Sequence, residues 1–474
     1  MKAKGKKTKV ENDVREYFPY IAHRIDYDFI EHGKFRFARN GRSAYDFYVG
    51  GSLDSCIFED EQNDIKIFPG RESALFSEQR VRGIEGVREL SRNPKNVFVY
   101  VPRHRSLVDF IALHPITYFL VRQNTMILSG DNLFLPHMDF DEILRKFGGI
   151  TYMRGKKDKE GNIVPMTLKP KGLERRKITA EEFNLAYSAY IREAMIHGTH
   201  SSFPETTQDL EERIRYDMIA FLEYYERFNQ FGAPEIASGR TKDGSTNKIS
   251  TLPILPIYKG LKDSDVNVFV VPVNISFSKY IDSFFIKESR GLFKAFKNLK
   301  YLYELFYVFS TYPHYSEKHP EAKLSATYSF GEPLNLKKFN PKQVISKNET
   351  PDSLSYAVRE NIENQETIYP TVLLFNAMQD NDSISVEDLD TKVKRSIDQY
   401  EQKGIDVSQV TDNYGNPFSG SDIYDLTASH LNSNPTLFFR PSVSNTLIVK
   451  KNGRVKSKDI EIQKWYGNQI KHLD

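Results

Sequence analysis

The sequence has few residues that could form covalent or metal cross-links, since Cys56 is its single cysteine. One cysteine excludes an intrachain disulfide and a cysteine-based metal cluster. Long apolar runs are also missing. The most apolar stretch, from Val266 to Phe277, contains polar residues and a proline and falls well short of the ~20 residues that a transmembrane helix requires. If the chain meets a membrane, we expect it to lie on the surface.

A large excess of charge of one sign is absent as well. The 66 Lys and Arg residues nearly balance 63 Asp and Glu residues, which gives a net charge of +3. This balance does not indicate a nucleic-acid-binding protein. Five lysines fall within the first ten residues, where no apolar core of a signal peptide accompanies them. We therefore expect a cytoplasmic protein with a disordered basic tail.

The 474 residues are too many for one compact unit and predict two or three. Val97 to Val101 and Val266 to Val273 are apolar runs typical of buried strands. Ser77 to Arg92, Phe183 to His197 and Leu210 to Phe231 have helical spacing, and Gly198 and Gly232 follow the last two as expected C-caps. The alternation predicts an α/β fold with a mixed, mostly parallel sheet flanked by helices.

The chain divides into three predicted parts. Residues 1–92 form an N-terminal accessory region, residues 93–340 form the α/β domain, and residues 341–474 form a mostly helical C-terminal region.

The segment Pro102 to Phe110 contains the strongest chemical pattern, His104 and Asp109, directly after a predicted strand. Active sites of α/β proteins form where strands end. If His104 lies on the turn and Asp109 in the first turn of the next helix, the carboxylate can reach one imidazole nitrogen. That contact fixes the tautomer and raises the basicity of the other nitrogen, as a general base acting on a hydroxyl requires.

This segment resembles the His-x4-Asp motif of the glycerolipid acyltransferases. The Arg-Ser after His104 is similar to the version found in glycerol-3-phosphate and dihydroxyacetone-phosphate acyltransferases. The family's Gly-x-Asn-Leu stretch, its second and fourth motifs, its Phe-Gly-Glu-Pro and a C-terminal Pro-Thr segment resemble, in order, residues 130–133, 147–154, 271–276, 330–333 and 369–373. The resemblance implies structural roles for Gly149 and Pro272.

The third motif departs from the family pattern. Gly239, Arg240 and Lys242 supply its basic half, but Ala237 occupies the position where a Glu is expected. One reading makes Glu205, in a Phe-Pro-Glu-Thr segment, the motif carboxylate, separated from the basic half by a helical insertion. The other takes Ala-Ser-Gly-Arg as the whole motif, similar to a version without Glu in soluble plastid-type acyltransferases.

A glycerol phosphate carries nearly two negative charges, which guanidinium groups bind through directional hydrogen bonds. The candidate phosphate-binding cations are Arg105, Arg154, Arg240 and Lys242. Gly239 would let the main chain approach the ligand closely. The chemistry requires neither a metal nor another cofactor, and the histidines show no metal-ligand spacing.

The resemblance implies transfer of a fatty acyl group from acyl-CoA or acyl carrier protein to the sn-1 hydroxyl of glycerol 3-phosphate, a step of phospholipid biosynthesis. Dihydroxyacetone phosphate is an alternative acceptor. A further alternative, suggested by Ala237, is a lipid-binding scaffold without turnover. Leu292 to Phe309 alternates aromatic residues with lysines and fits either the protein core or a peripheral contact with the inner face of a membrane.

Overall fold

The structure is a computed structural model, and it describes most of the second half of the chain and selected parts of the first. The described residues are 57–59, 64–68, 73, 75–93, 95–103, 105–121, 125–130, 149–152, 156–157, 163–164, 166–168, 176–179, 182–183, 186, 189, 230–232, 254–261, 264–281, 283, 304, 306–345, 350–378, 381–412, 414–432 and 447–473.

A ten-stranded sheet forms the centre of the described structure, with strand order β1-β2-β3-β13-β12-β4-β11-β5-β6 and with β14 paired to β12. Its strands are β1 (Ile57–Glu59), β2 (Ile65–Ile67), β3 (Phe76–Arg82), β4 (Asn96–Pro102), β5 (Thr125–Gly130), β6 (Gly149–Tyr152), β11 (Gln230–Gly232), β12 (Asn267–Phe277), β13 (Leu324–Phe330) and β14 (Leu334–Asn335).

The sheet is mixed. β12, β4, β11, β5 and β6 are successive parallel neighbours, and β3 pairs parallel with β13. β13 and β14 run antiparallel to β12, as β2 does to β1 and β3. All seven residues of β4 and all but the first of β12 are buried, as their continuous apolar sequences predicted. An α/β fold with a mixed sheet flanked by helices is therefore confirmed.

Three small sheets lie outside the main one. β7 (Lys156–Lys157) pairs with β8 (Ile163–Val164), and β9 (Met166–Leu168) pairs with β10 (Arg176–Ile178). Near the C-terminus, β15 (Ser383–Ser385), β16 (Ile448–Lys451) and β17 (Arg454–Ser457) form a three-stranded sheet. Asn452 and Gly453 join β16 to β17, both with positive φ, which is the conformation of a tight hairpin turn.

Helices flank the main sheet and form most of the C-terminal region. Those described are α1 (Glu85–Ser91), α2 (Val108–Val121), α3 (Leu255–Gly260), α4 (Tyr312–Lys318), α5 (Pro341–Ile345), α6 (Leu354–Asn364), α7 (Pro370–Met378), α8 (Val386–Gln402), α9 (Gly420–Asn432) and α10 (Ile460–Gly467). Every residue of α7 is buried, and α8, α9 and α10 pack around it. Ser353 and Ser385 cap α6 and α8 through their hydroxyl groups, as serines do at N-termini.

One hydrophobic core extends from Ile65 to Leu473. It crosses both predicted boundaries, because β3 belongs to the same sheet as β4, and α6 packs on β12. The described parts of residues 1–92, 93–340 and 341–474 therefore share one hydrophobic core.

Two predicted helices are wrong in part. Residues 77–82 of the predicted helix from Ser77 to Arg92 belong to β3. Val81, Ile84 and Val87 have the three-residue spacing of one helix face. However, Val81 lies on β3, and only Val87 lies within α1. Residues 230–232 form β11, so Gly232 belongs to a strand rather than to a helix cap. The rest of Leu210 to Phe231 and most of Phe183 to His197 lie outside the described residues.

No helix within the described part of the chain is both long enough and apolar enough to cross a bilayer.

Lys279 joins the end of β12 to the C-terminal helices. Its side chain is buried, its Nζ donates to the main-chain oxygen of His430 near the end of α9, and it lies over the ring of Tyr312. A cation at this end of a helix is favourable. Burial lowers the pKa of Lys279 to about 7, although the charge of Glu321 raises it in part. Burial, and then the charge of Lys279, lower the pKa of His430 to about 4.

These pKa shifts predict how stability depends on pH. Lys279 has its ordinary pKa of 10.5 in the unfolded chain, so above about pH 7 the unfolded chain binds more protons than the folded one. The free energy of unfolding should then rise with pH, by roughly 1.6 kcal/mol between about pH 7 and pH 8.5. Urea unfolding at several pH values measures this rise.

Lys279→Met should remove the rise. Lys392→Met is the matched control, because it removes a half-buried lysine bound to the main-chain oxygen of Ala377. The control should keep the pH dependence of the free energy of unfolding that the unmutated protein shows. Equal pH dependence in the two variants would show that burial does not lower the pKa of Lys279.

Candidate functional site

The candidate site lies at the carboxyl edge of the parallel strands. Because β4, β11, β5 and β6 are consecutive parallel neighbours, their C-terminal ends meet at one side of the sheet. Ligands of α/β proteins bind outside this edge. The last residues of these four strands are Pro102, Gly232, Gly130 and Tyr152.

The turn after β4 is held by the carboxylate of Asp109, at the start of α2. One oxygen of Asp109 accepts hydrogen bonds from the main-chain nitrogens of Arg105 at 2.7 Å and Ser106 at 2.9 Å. The hydroxyl of Ser106 accepts from the nitrogen of Val108 at 3.2 Å and so contributes to the start of α2. Asp109 and Ser106 are each 1% exposed. The aspartate therefore reaches back over the turn, whereas its contact with the imidazole of His104 stays a prediction, because His104 lies outside the described residues.

The segment from Val271 to Ser276, which resembles the fourth motif, lies beside this turn in β12. Pro272 and Val273 pair with Val101 and Pro102, and the nitrogen of Arg103 donates to the main-chain oxygen of Val273 at 2.9 Å. The parallel pairing of β4 with β12 therefore continues into the first residue of the turn.

The Phe-Gly-Glu-Pro segment contacts β12 from the other side. Phe330 pairs with Val273, and the nitrogen of Gly331 donates to the oxygen of Pro272 at 2.8 Å. A Cβ at Gly331 would lie 3.3 Å from the Cβ of Pro272, so the glycine permits this close approach. Gly83 makes a similar approach, because its φ is +66° and a Cβ there would lie 2.4 Å from the oxygen of Phe330.

The Tyr-Pro-Thr segment also packs on this part of the sheet. The hydroxyl of Tyr369 lies 3.0 Å from that of Thr327 in β13, and the hydroxyl of Thr371 donates to the oxygen of Ser278 at 2.8 Å. The structure therefore brings together four of the segments that resemble family motifs, although they are spread over residues 102 to 373.

A buried ionic cluster connects the turn to the C-terminal region. Glu366, between α6 and α7, accepts from Arg103 at 2.8 Å, from Nη1 of Arg105 at 2.7 Å and from Nη2 of Arg105 at 2.5 Å. The hydroxyl of Ser276 donates to the same carboxylate at 3.1 Å. Nη1 of Arg105 also donates to the hydroxyl of Tyr280 at 3.1 Å. The two arginines and the glutamate are each less than 5% exposed.

Burial disfavours the charged form of Arg105, and the ion pair with Glu366 favours it. Burial alone would lower the pKa of Arg105, but the adjacent charge of Glu366 and the contact with Tyr280 raise the pKa overall. Burial raises the pKa of Tyr280, so its hydroxyl stays protonated. Removing one partner of a buried ion pair costs about 3–5 kcal/mol, since the other charge stays buried without compensation.

The predicted site residues divide into those that the structure brings together and those that it does not describe. Asp109, Arg105 and Pro272 meet at the turn, and Gly149 begins β6, two strands from β11. The terminal nitrogens of Arg105 are bound by Glu366 and Tyr280, so a contact with substrate phosphate would require this pairing to open. His104, Arg154, Glu205, Gly239, Arg240 and Lys242 lie outside the described residues.

The basic tail and most of the aromatic segment from Leu292 to Phe309 also lie outside the described residues. Within the segment, Phe306 is 47% exposed, whereas Tyr307 and Val308 are buried. The described part of the chain contains no group of three or more acidic, His or Cys side chains arranged to hold a metal ion.

Sequence reasoning missed Arg103, Tyr280 and Glu366. Glu366 is 261 residues from Arg105 along the chain, so no local spacing connects them. The one available signal was the pair of arginines flanking His104, since two buried cations need a carboxylate nearby.

No protein-family model matches the sequence. No curated protein matches it either. The family resemblance therefore stays a prediction that depends on the motif residues.

The contacts of Asp109 predict its contribution to stability. Asp109→Ala should leave two buried main-chain N–H groups without an acceptor, at a cost of roughly 1–3 kcal/mol each in the free energy of unfolding. Asp109→Asn keeps an acceptor oxygen and should lose less, about 1 kcal/mol. Urea unfolding of both variants measures the difference, and an unchanged stability of Asp109→Ala would show that the carboxylate does not hold the turn.

Proposed function

We propose that this chain is an acyltransferase that moves a fatty acyl group from acyl-CoA or acyl carrier protein to the sn-1 hydroxyl of glycerol 3-phosphate. The products are lysophosphatidate and the free thiol of the donor. This is a glycerol-3-phosphate 1-O-acyltransferase reaction and serves phospholipid biosynthesis.

The observation that carries the proposal is the position of Asp109. Its carboxylate binds the main chain at residues 105 and 106, directly after His104, at the carboxyl edge of the parallel strands. An acid that reaches back over this turn is what a His-x4-Asp base requires. The contacts of Pro272 with Gly331 and of Val273 with Phe330 support the proposal further, because they join two other segments that resemble motifs.

His104 is the general base in this proposal. As the hydroxyl oxygen of glycerol 3-phosphate attacks the thioester carbonyl carbon, the imidazole takes the hydroxyl proton. Asp109 stabilises the imidazolium that results. The tetrahedral intermediate then breaks its carbon–sulfur bond, and the imidazolium returns the proton to the leaving thiolate. The balanced exchange needs no covalent acyl-enzyme, metal or other cofactor.

The phosphate is bound by cations on other segments. Arg154, Arg240 and Lys242 are assigned to it, with Gly239 permitting a close main-chain approach and Glu205 as the candidate third-motif carboxylate. Arg105 is left out of this group because Glu366 binds both of its terminal nitrogens.

The acyl product belongs in a bilayer, so the proposal includes a peripheral contact with the inner face of a membrane. The segment from Leu292 to Phe309, with its lysines between aromatic residues, is the candidate surface.

His104→Ala tests the proposed base. Purified protein incubated with labelled long-chain acyl-CoA and glycerol 3-phosphate should form lysophosphatidate. His104→Ala should lower kcat by about 10²- to 10⁴-fold, the usual contribution of a general base. His319→Ala is the matched control, because His319 is a partly exposed histidine stacked on Tyr315, and it should leave kcat unchanged.

The same assay separates the alternatives. Turnover with dihydroxyacetone phosphate but not with glycerol 3-phosphate would change the acceptor, and transfer only to lysophosphatidate would reject both. Full activity of His104→Ala would contradict the proposed base. Inactivity of the unmutated protein with every donor and acceptor would favour the lipid-binding scaffold.

A further inference from the structure

Glu366 lies in the short connection between α6 and α7, in the C-terminal region, yet its carboxylate is directed to the turn after β4. It is 2% exposed and accepts four hydrogen bonds, one from Arg103, two from Arg105 and one from Ser276. A carboxylate has about four acceptor sites, so all of them are used.

The two arginines bound by Glu366 are the chain neighbours of His104. Arg103 also donates from Nη2 to the main-chain oxygen of Gln469 at 3.1 Å, and Arg105 donates to the hydroxyl of Tyr280. The residues on both sides of position 104 are therefore fixed by contacts with the C-terminal region and with the end of β12.

We propose that Glu366 is a positioning residue for the His104 base. This inference rests on the proposed function. By holding Arg103 and Arg105, Glu366 fixes the main chain at both sides of the base, while Asp109 holds the amides of residues 105 and 106. Displacing a catalytic group by about 1 Å can lower the reaction rate roughly 10²-fold. Contacts that hold the residues on both sides of His104 should therefore affect the rate.

The C-terminal region is then part of the catalytic unit. It supplies the carboxylate that the buried cations Arg103 and Arg105 require, together with the main-chain oxygen of Gln469. Activity should depend on the docking of residues 366 and 469 against the turn.

A second cluster in the same protein provides the matched control. Asp64 binds Arg80 and Arg82, which are also two residues apart and flank a single residue of β3. Asp64 is 5% exposed, and β13 and β12 separate β3 from β4 in the sheet. Asp406 also binds both arginines, so Asp64→Asn removes one of their two carboxylate partners, on a strand that β13 and β12 separate from β4.

Glu366→Gln and Asp64→Asn should both lower the melting temperature. Only Glu366→Gln should lower kcat for acyl transfer, by about 10- to 100-fold, with both KM values changed by less than about threefold. Glu366→Asp, which keeps the charge but is shorter by one methylene group, should recover part of this loss and serves if Glu366→Gln does not fold. Equal losses of kcat in Glu366→Gln and Asp64→Asn would overturn the proposal.

Hydrogen exchange gives a readout that does not depend on activity. The amides of Arg105 and Ser106, which are bound to Asp109, should exchange at least about tenfold faster in Glu366→Gln than in Asp64→Asn. An unchanged rate would contradict the positioning role even if the protein is an acyltransferase. Faster exchange in a protein that transfers no acyl group would support the positioning of the turn and reject the proposed function.

Discussion

The pairing of β12 with β4 on one side and with β13 on the other is the constraint that positions the candidate site. β12 pairs parallel with β4 over the full length of β4, and it pairs antiparallel with β13 from Val273 to Phe277. Ten of its eleven residues are buried. A one-residue shift would turn every side chain to the other face of the sheet, so this buried pairing fixes the register strongly. The turn after β4, the Phe-Gly-Glu-Pro segment and the docking of the C-terminal helices all take their positions from this register.

The ionic cluster around Glu366 adds a second constraint of a different kind. Two buried guanidinium groups and one carboxylate are costly to remove from water, and their attraction offsets that cost only when the geometry is good and the remaining hydrogen-bonding positions are filled. Glu366 meets this condition through four donors. A different docking of α6 and α7 would leave Arg103 and Arg105 without a carboxylate, so the cluster favours one position of the C-terminal region on the sheet.

The sequence was informative where a pattern was local. The apolar runs predicted β4 and β12. The contact of Asp109 with the His104 imidazole stays a prediction, and no spacing could identify the main-chain nitrogens that Asp109 binds. Prediction was wrong where one pattern fits two structures. Val81, Ile84 and Val87 have helical spacing, but Val81 lies in β3. The three-residue strand β11 is too short to show a period, and its place between β4 and β5 depends on long-range pairing. Glu366 was beyond sequence reasoning, since its two arginine partners lie more than 250 residues away.

The central claim is that the carboxyl edge of β4, β11 and β5 binds a glycerol phosphate beside the His104 turn. A structure of the protein with glycerol 3-phosphate bound tests it most directly. We expect the phosphate to contact Arg154, Arg240 or Lys242 and the primary hydroxyl to lie about 3 Å from an imidazole nitrogen of His104. A glycerol phosphate bound away from this edge, or with its hydroxyl out of reach of His104, would rule out this binding site.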